Sequence, residues 1–416
     1  MLPRPPTLTR DGRLLFAART LRLIGYGAIA VILVIYLARL GLDGVAIGLI
    51  LSLTLVGDTV ISLWLTTHAD RIGRRRSLIA GALLMVVAGL AFAATDAFPF
   101  LLLAATIGVI SPSGNEVGPF LAIEQASLSE TIDDRRRTSV FAWYNLAGSV
   151  ATAVGALAGG VAVGALQSAG LDDLSAYRTV VLGYAAIGLG LAAVFSRVSP
   201  AVEIARPVDT TVARRLGLHR SRNTVLGLSA LFALDAFAGG LVMQSILAFW
   251  FHETFGVPEA LLGGIFFGAN MLAAASSLAA ASIAARIGLI NTMVFTHLPS
   301  NVLLILVPLM PTLPLAILVL LARFSISQMD VPTRQSYTIA VVDPDERSAA
   351  AGVTGIARSI GAALSANLAA PLVATASLAA LPFFLGGGLK IIYDLALWTA
   401  FRARPAPEEA ARTPDR

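Results

Sequence analysis

Cysteine is absent from the 416 residues, which excludes disulfides and thiolate metal sites. Lysine is nearly absent: Lys390 is the only one, and it lies inside an apolar run. Charge as a whole is scarce, at 13% against about 25% in soluble domains. The four histidines are scattered, with no metal-ligand spacing. There is no glycine-rich phosphate loop and no visible nucleophile–base set. These absences argue against an ATP-hydrolysing chain, a metal site and enzymatic chemistry, and no cofactor is expected. The net charge of +5 could suggest nucleic acid, but the arginines cluster in short segments between apolar runs and form no soluble basic face, so nucleic acid is not expected as a partner. The opening MLPRPPTLTRDGR is polar and Pro-rich. It has no apolar core leading to a small-residue site, so no cleavable signal peptide is expected.

What is present is apolar. Hydrophobic residues make up 56% of the chain, and the mean hydropathy is +0.80. About twelve stretches reach the roughly 20 residues needed to cross a bilayer. They lie near 18–40, 46–66, 77–95, 99–125, 138–166 and 177–197, then 223–251, 260–285, 292–311, 313–340, 348–375 and 378–402. The chain therefore reads as an all-α polytopic membrane protein with 12 transmembrane helices. Arginines concentrate in alternate connections, such as Arg71 with Arg74–Arg76, and Arg135–Arg137, while the other connections hold only Arg39 and Arg178. By the positive-inside rule this places both termini in the cytoplasm. The expected organisation is an N-terminal six-helix bundle (1–198), a cytoplasmic linker (199–222), a C-terminal six-helix bundle (223–402) and a cytoplasmic tail (403–416).

A short repeat supports two related halves. Residues 69–73 read ADRIG and residues 284–288 read AARIG, each between the second and third spans of a half. Arg137-Thr138-Ser139 is echoed by Arg347-Ser348-Ala349 between the fourth and fifth. Two parallel repeats are a known layout for transporters.

Ala69, Asp70, Arg71, Gly73, Arg74, Arg75 and Arg76 match the loop motif Gly-x-Leu-Ala-Asp-Arg-x-Gly-Arg-Arg-Arg; Thr66 and His68 depart from it. On these residues the chain resembles the major facilitator superfamily over roughly 14–402. The resemblance implies two pseudo-symmetric bundles and secondary transport by alternating access. By the same analogy the loop docks on span eleven, where Asp70 would meet a helix N-terminus and latch one side shut. Arg71, Gly73 and Arg74 complete that gating group. A second motif, Gly155-Ala156-Leu157-Ala158-Gly159-Gly160, resembles the Gly-Pro-x-x-Gly-Gly of drug/proton antiporters, with Ala156 in place of Pro. Small residues at this spacing also serve close helix packing.

Ionisable residues inside spans carry the remaining expectations. Asp58 is twelve residues before Asp70, about 18 Å deeper along a helix, with no cation in its own span. Asp58, Glu116, Asp235 and Asp330 are the candidates for proton coupling. Arg22 sits near a helix start and can snorkel. Asp330 and Arg334, and likewise Lys390 and Asp394, have the spacing of intrahelical ion pairs. Arg358 and Lys390 could hold an anionic solute, with Asn115, Tyr144 and Asn145 as further substrate-binding candidates. An offset of 210 places Glu124 opposite Arg334 in the repeat, and a cytoplasmic gate pair between them is expected.

The function expected first is proton-coupled efflux of a small organic compound by a monomeric antiporter. The alternatives are an uptake symporter or facilitator for a small anion or organic acid, and a non-transporting sensor. The partners are then a small-molecule substrate, protons and the lipid bilayer. Alanine- and arginine-rich usage with one lysine suggests a high-G+C bacterium, hence an inner membrane.

Overall fold

A computed structural model describes residues 8–130, 137–203, 219–343 and 346–403. The first two helices start at side-chain caps. α1 (Arg10–Arg39) is capped by Thr9, whose Oγ1 accepts from the Gly12 amide at 3.1 Å. α2 (Gly44–Ile72) is capped by Asp43, which accepts from the Ala46 amide at 2.8 Å. Such side-chain oxygens satisfy amides that have no partner within the helix. α3 (Arg74–Ala94) follows after Gly73 alone, at φ 103°. In the second half α10 (Glu259–Ile287) passes to α11 (Leu289–Leu306) through Gly288 at φ 85°. The short repeat thus marks two equivalent one-glycine turns, in a backbone region that only glycine enters freely.

Three of the expected spans are broken. The fourth divides into α4 (Phe98–Ile107) and α5 (Phe120–Glu130). Pro112 and Pro119 lie in the interruption, where Gly114 and Gly118 take positive φ. The next two helices are intact: α6 (Arg137–Ser168) and α7 (Asp173–Ser196). The seventh span divides into α8 (Arg222–Gly240) and α9 (Gln244–Phe255), just after the Gly239–Gly240 pair. The tenth divides into α12 (Leu313–Phe324) and α13 (Asp330–Ala340). Pro332 sits in the first turn of α13, where its ring would clash with any helical carbonyl four residues back. The chain ends with α14 (Arg347–Ala374) and α15 (Leu381–Phe401). Among the described residues, ten helical stretches are long and apolar enough to cross a membrane, and α4 and α12 are shorter apolar helices.

The chain forms two compact units, Met1–Val208 with Met243–Asn270, and Asp209–Val242 with Met271–Arg416. The departure from the expected organisation is Met243–Asn270, which was expected in the C-terminal bundle. The stretch Met243–Asn270 belongs to the first unit because α9 packs on α1 and Glu259 accepts a hydrogen bond from Tyr177. In the first unit the dominant pairings are α1 with α6 and α3 with α7; in the second they are α8 with α14 and α11 with α15. These are equivalent helices of the two halves, so the repeat is one of packing as well as of sequence. Gly155 lets α6 touch α1: a Cβ there would lie 2.1 Å from the Ile24 carbonyl oxygen. Gly361 does the same for α14 and α8, with Ala233 O at 2.2 Å. Trp64, Val60, Phe100 and Leu318 are among many large apolar side chains left exposed, the pattern of helices that face lipid.

Candidate functional site

In the first unit the charges converge on Arg22. It is fully buried on α1, not snorkelling at a helix end as its position near the start of an apolar run suggested. Arg22 NH1 and NH2 grip Glu124 of α5 at 2.6 and 2.7 Å. Its Nε donates to Glu116 Oε1 at 2.8 Å, and its guanidinium lies 4.5 Å from the Phe120 ring centre. Arg19, one turn earlier, reaches Glu116 Oε2 at 3.1 Å and Asn145 at 3.5 Å, and stacks 4.4 Å from the Tyr144 ring centre. Tyr144 donates its hydroxyl proton to Glu124. Glu116 is therefore paired, not the lone carboxylate expected of a proton carrier, because the break between α4 and α5 turns it toward α1. Asp58 lies on α2. Its Oδ1 accepts from the Gly118 amide at 2.5 Å and from Ser62 at 3.2 Å, both neutral donors. Asn115 lies in the same break with its side chain exposed, while its carbonyl accepts from Ser111.

In the second unit the signs are reversed. Asp235 of α8 takes Lys390 Nζ on Oδ1 at 2.5 Å. Its Oδ2 accepts from Arg358 at 3.0 Å and Arg334 at 3.1 Å. Asp235 was expected to be an isolated buried acid, and it is instead bound by three cations from α13, α14 and α15. Arg334 also holds Asp330 at 2.8 Å, the intrahelical pair that the spacing anticipates. The Lys390–Asp394 pair does not form: Lys390 turns to Asp235, and Asp394 accepts from His297 and Asn301 at 2.9 Å each. Arg323 of α12 is buried against Phe324, and its Nε has no partner.

The 210-residue register holds, but the pairing expected from it does not. Glu124 and Arg334 each bind the first helix of their own unit, through Arg22 in one and Asp235 in the other. The two clusters are alike in construction and opposite in sign. A cation on the first helix meets a carboxylate after the break in the fourth; a carboxylate on the first meets a cation after the break in the fourth. Sequence reasoning missed Arg19, His297 and Asn301. The available signals were the i, i+3 spacing of Arg19 and Arg22 and the i, i+4 spacing of His297 and Asn301.

The loop motif is anchored locally. Glu203, just past α7, accepts the Arg74 and Arg75 amides at 2.7 and 3.1 Å and so caps α3. Arg74 NH1 and Arg75 NH2 donate to the carbonyls of Val202 and Ser196. The Asp70 side chain, which carries the expected latch, lies outside the described residues, as does most of the expected linker. Glu346 repeats the capping device in the second unit. It accepts the amides of His219, Arg220 and Ser221 at 2.6, 2.8 and 2.9 Å, just before α8. Burial pushes its carboxyl up, but those three amides outweigh it and hold the pKa at about 2.

Buried, sign-inverted ion clusters on twofold-repeated broken helices are an arrangement of transporters, and the sequence model of the Major Facilitator Superfamily matches residues 15–366. The chain belongs to the Major Facilitator Superfamily. It is a multi-pass membrane protein and a transporter, not an enzyme. The uncharacterized membrane protein YJR124C of Saccharomyces cerevisiae is 30% identical over 423 residues, covering 94% of each chain. Among solved structures, the nucleoside transporter NupG is similar at TM-score 0.76 and 13% identity, over 95% of this chain and 100% of that one. The D-xylose-proton symporter gives 0.73 and 14%, over 97% and 99%. A bacterial homolog of the human lysosomal transporter Spinster gives 0.73 and 16%, over 95% and 98%. At these identities the solved structures establish the fold of this superfamily member alone.

Proposed function

We propose that this transporter carries a small organic solute with an anionic group, coupled to protons, by alternating access across twelve spans. The observation that carries the reading is the cation excess around Asp235. Arg323, Arg334, Arg358 and Lys390 stand against Asp235, Asp330 and Asp394. Arg358 is the most accessible of the cations bound to Asp235, at 34% side-chain exposure. A carboxylate or phosphate of the solute can compete with Asp235 for Arg358 and Lys390, and a planar guanidinium suits either group. The sign of the cluster favours co-movement of proton and anion.

Efflux by antiport is the second reading, and it rests on Gly155–Gly160. Close packing accounts for that motif as well: Gly155 and Gly159 lie against α1, and a Cβ on Gly160 would stand 2.1 Å from the Glu259 carbonyl. The test is transport in proteoliposomes with an imposed pH gradient, a panel of organic anions and neutral solutes, and a lumenal pH dye. Anion uptake with proton co-movement, reduced in Arg358→Gln by the equivalent of about 2–5 kcal/mol, is the expected result. Equal transport of neutral solutes with no effect of Arg358→Gln overturns the anion assignment. Proton movement opposite to solute establishes antiport.

A further inference from the structure

One buried dyad of the second unit borders the Asp235 cluster. His297 on α11 faces Asp394 on α15, Nδ1 to Oδ1 at 2.9 Å. Asn301, one turn further along α11, donates to Asp394 Oδ2 at 2.9 Å and stands 3.3 Å from His297 Nδ1. Asp394 is 0% exposed and His297 5%. The Tyr393 ring packs edge-on against the imidazole at 6.1 Å. With Nδ1–H donating to the carboxylate, the free valence of the ring is Nε2, and an added proton goes there. Among the described residues of the unit, no other ionic pair contains a group whose ordinary pKa lies near neutrality.

We propose that His297 and Asp394 form the proton-holding site of the second unit, with Asn301 as its positioning residue. The proposal rests on the proton-coupled anion reading above and supplies its missing proton site. A proton taken from water on Nε2 turns a dyad of charge −1 into a neutral imidazolium–carboxylate pair. Its release restores the −1 state, and no other reactant is needed.

The site is linked to the anion cluster by α15. Lys390 precedes Asp394 by one turn, and its Nζ lies on Asp235. The buried and half-buried titratable and charged groups on the elements packed around the dyad are Lys390 and Tyr393 of α15, Asp330, Arg334 and Tyr337 of α13, and Arg323 of α12. Asp235 of α8 and Arg358 of α14 complete the set. The unprotonated dyad is a competing counter-charge for Lys390. The protonated dyad is not, so Lys390 and Arg358 then attract an external anion more strongly. Linkage makes the effect reciprocal: a proton on the dyad raises anion affinity, and bound anion raises proton affinity, by about 5–150-fold each way. That sign is symport.

Two measurements test the site. In the first, 15N-histidine-labelled full-length protein in lipid nanodiscs is titrated, and the His297 signal is assigned by its loss in His297→Gln. The expected result is Nε2 titration with a midpoint that falls in Asp394→Asn, where the counter-charge is removed. No titration across about pH 4–9, or an unmoved midpoint, overturns the proposal. In the second, proteoliposomes report the ratio of proton-driven accumulation to solute–solute exchange. His297→Gln is expected to lower this ratio by about 5-fold or more; an unchanged ratio overturns the proposal. If Asp394→Asn does not fold, Asn301→Ala replaces it, since loss of the Asn301 donor must also move the midpoint. Wild-type protein that moves no organic anion refutes the solute reading alone, because the NMR titration still decides the dyad.

Discussion

Arg22→Met should be among the most destabilising single substitutions in the first unit. Arg22 has no exposure and donates to two carboxylates, with contacts of 2.6, 2.7 and 2.8 Å. Methionine fills much of the volume but provides no charge. Glu116 keeps Arg19 at 3.1 Å and is 14% exposed, so it remains compensated. Glu124 is 0% exposed and would retain only the Tyr144 hydroxyl. Stranding a buried charge costs about 3–5 kcal/mol. Glu124→Gln in the Arg22→Met background removes that charge and should restore most of the loss, with a coupling energy of up to about 3 kcal/mol. The assay is reversible unfolding in mixed micelles, followed by tryptophan fluorescence, for the four members of the cycle. A loss below about 0.5 kcal/mol in Arg22→Met, or additive losses in the double variant, would refute the claim that Arg22 organises this cluster.

Two further outcomes follow from the geometry. Glu346 has its carboxyl held at about 2 against an ordinary 4.5. Its contribution is therefore complete above pH 4.5 and lost as pH falls through 2, and the stability gap between wild type and Glu346→Gln should narrow over that window; a gap constant with pH would show that the carboxylate charge is irrelevant to the cap. Gly57→Ala should disrupt the contact of α2 with α4, since its Cβ would lie 1.7 Å from the Thr106 carbonyl oxygen, whereas Gly355→Ala meets nothing within 4 Å. Melting curves should separate the two by about 1–3 kcal/mol, and equal stability would mean that the α2–α4 approach relaxes without penalty.

The architecture was largely legible because bilayer-length apolar runs and one-glycine turns are local signals. Gly73 and Gly288 name the same turn in each half, and the structure gives both positive φ. The helix breaks were half legible. Pro112 and Pro119 announce the first, but the interruption of α8 and α9 follows only a glycine pair. The charge pairings were least legible. Spacing along a helix finds Asp330 with Arg334, which are neighbours on one face. It cannot find Lys390 with Asp235, which are 155 residues apart, because that contact depends on how α15 is rotated against α8. Asp394 was misassigned for the same reason. Its intrahelical option with Lys390 was visible in sequence, and its partner His297 on α11 was not.

Register gave depth without giving partners, and the reason is electrostatic. Glu124 and Arg334 occupy equivalent places after equivalent breaks, so any argument from the repeat puts them at one level. A buried charge is nevertheless satisfied by the nearest opposite charge that can reach it in the same packed unit, and here that is the first helix of each bundle. Arg22 and Asp235 stand at nearly the same register on those helices. Because both members of the pair are inverted together, each unit keeps a locally compensated core while the surrounding excess differs in sign: Asp58 adds a carboxylate near the first, and Arg323, Arg358 and Lys390 add cations near the second. Duplicated scaffolds that conserved charge as well as shape would offer the same chemistry twice. Inversion leaves the first unit with an excess of carboxylates and the second with an excess of cations, so two halves built on one scaffold differ in the charge they bury.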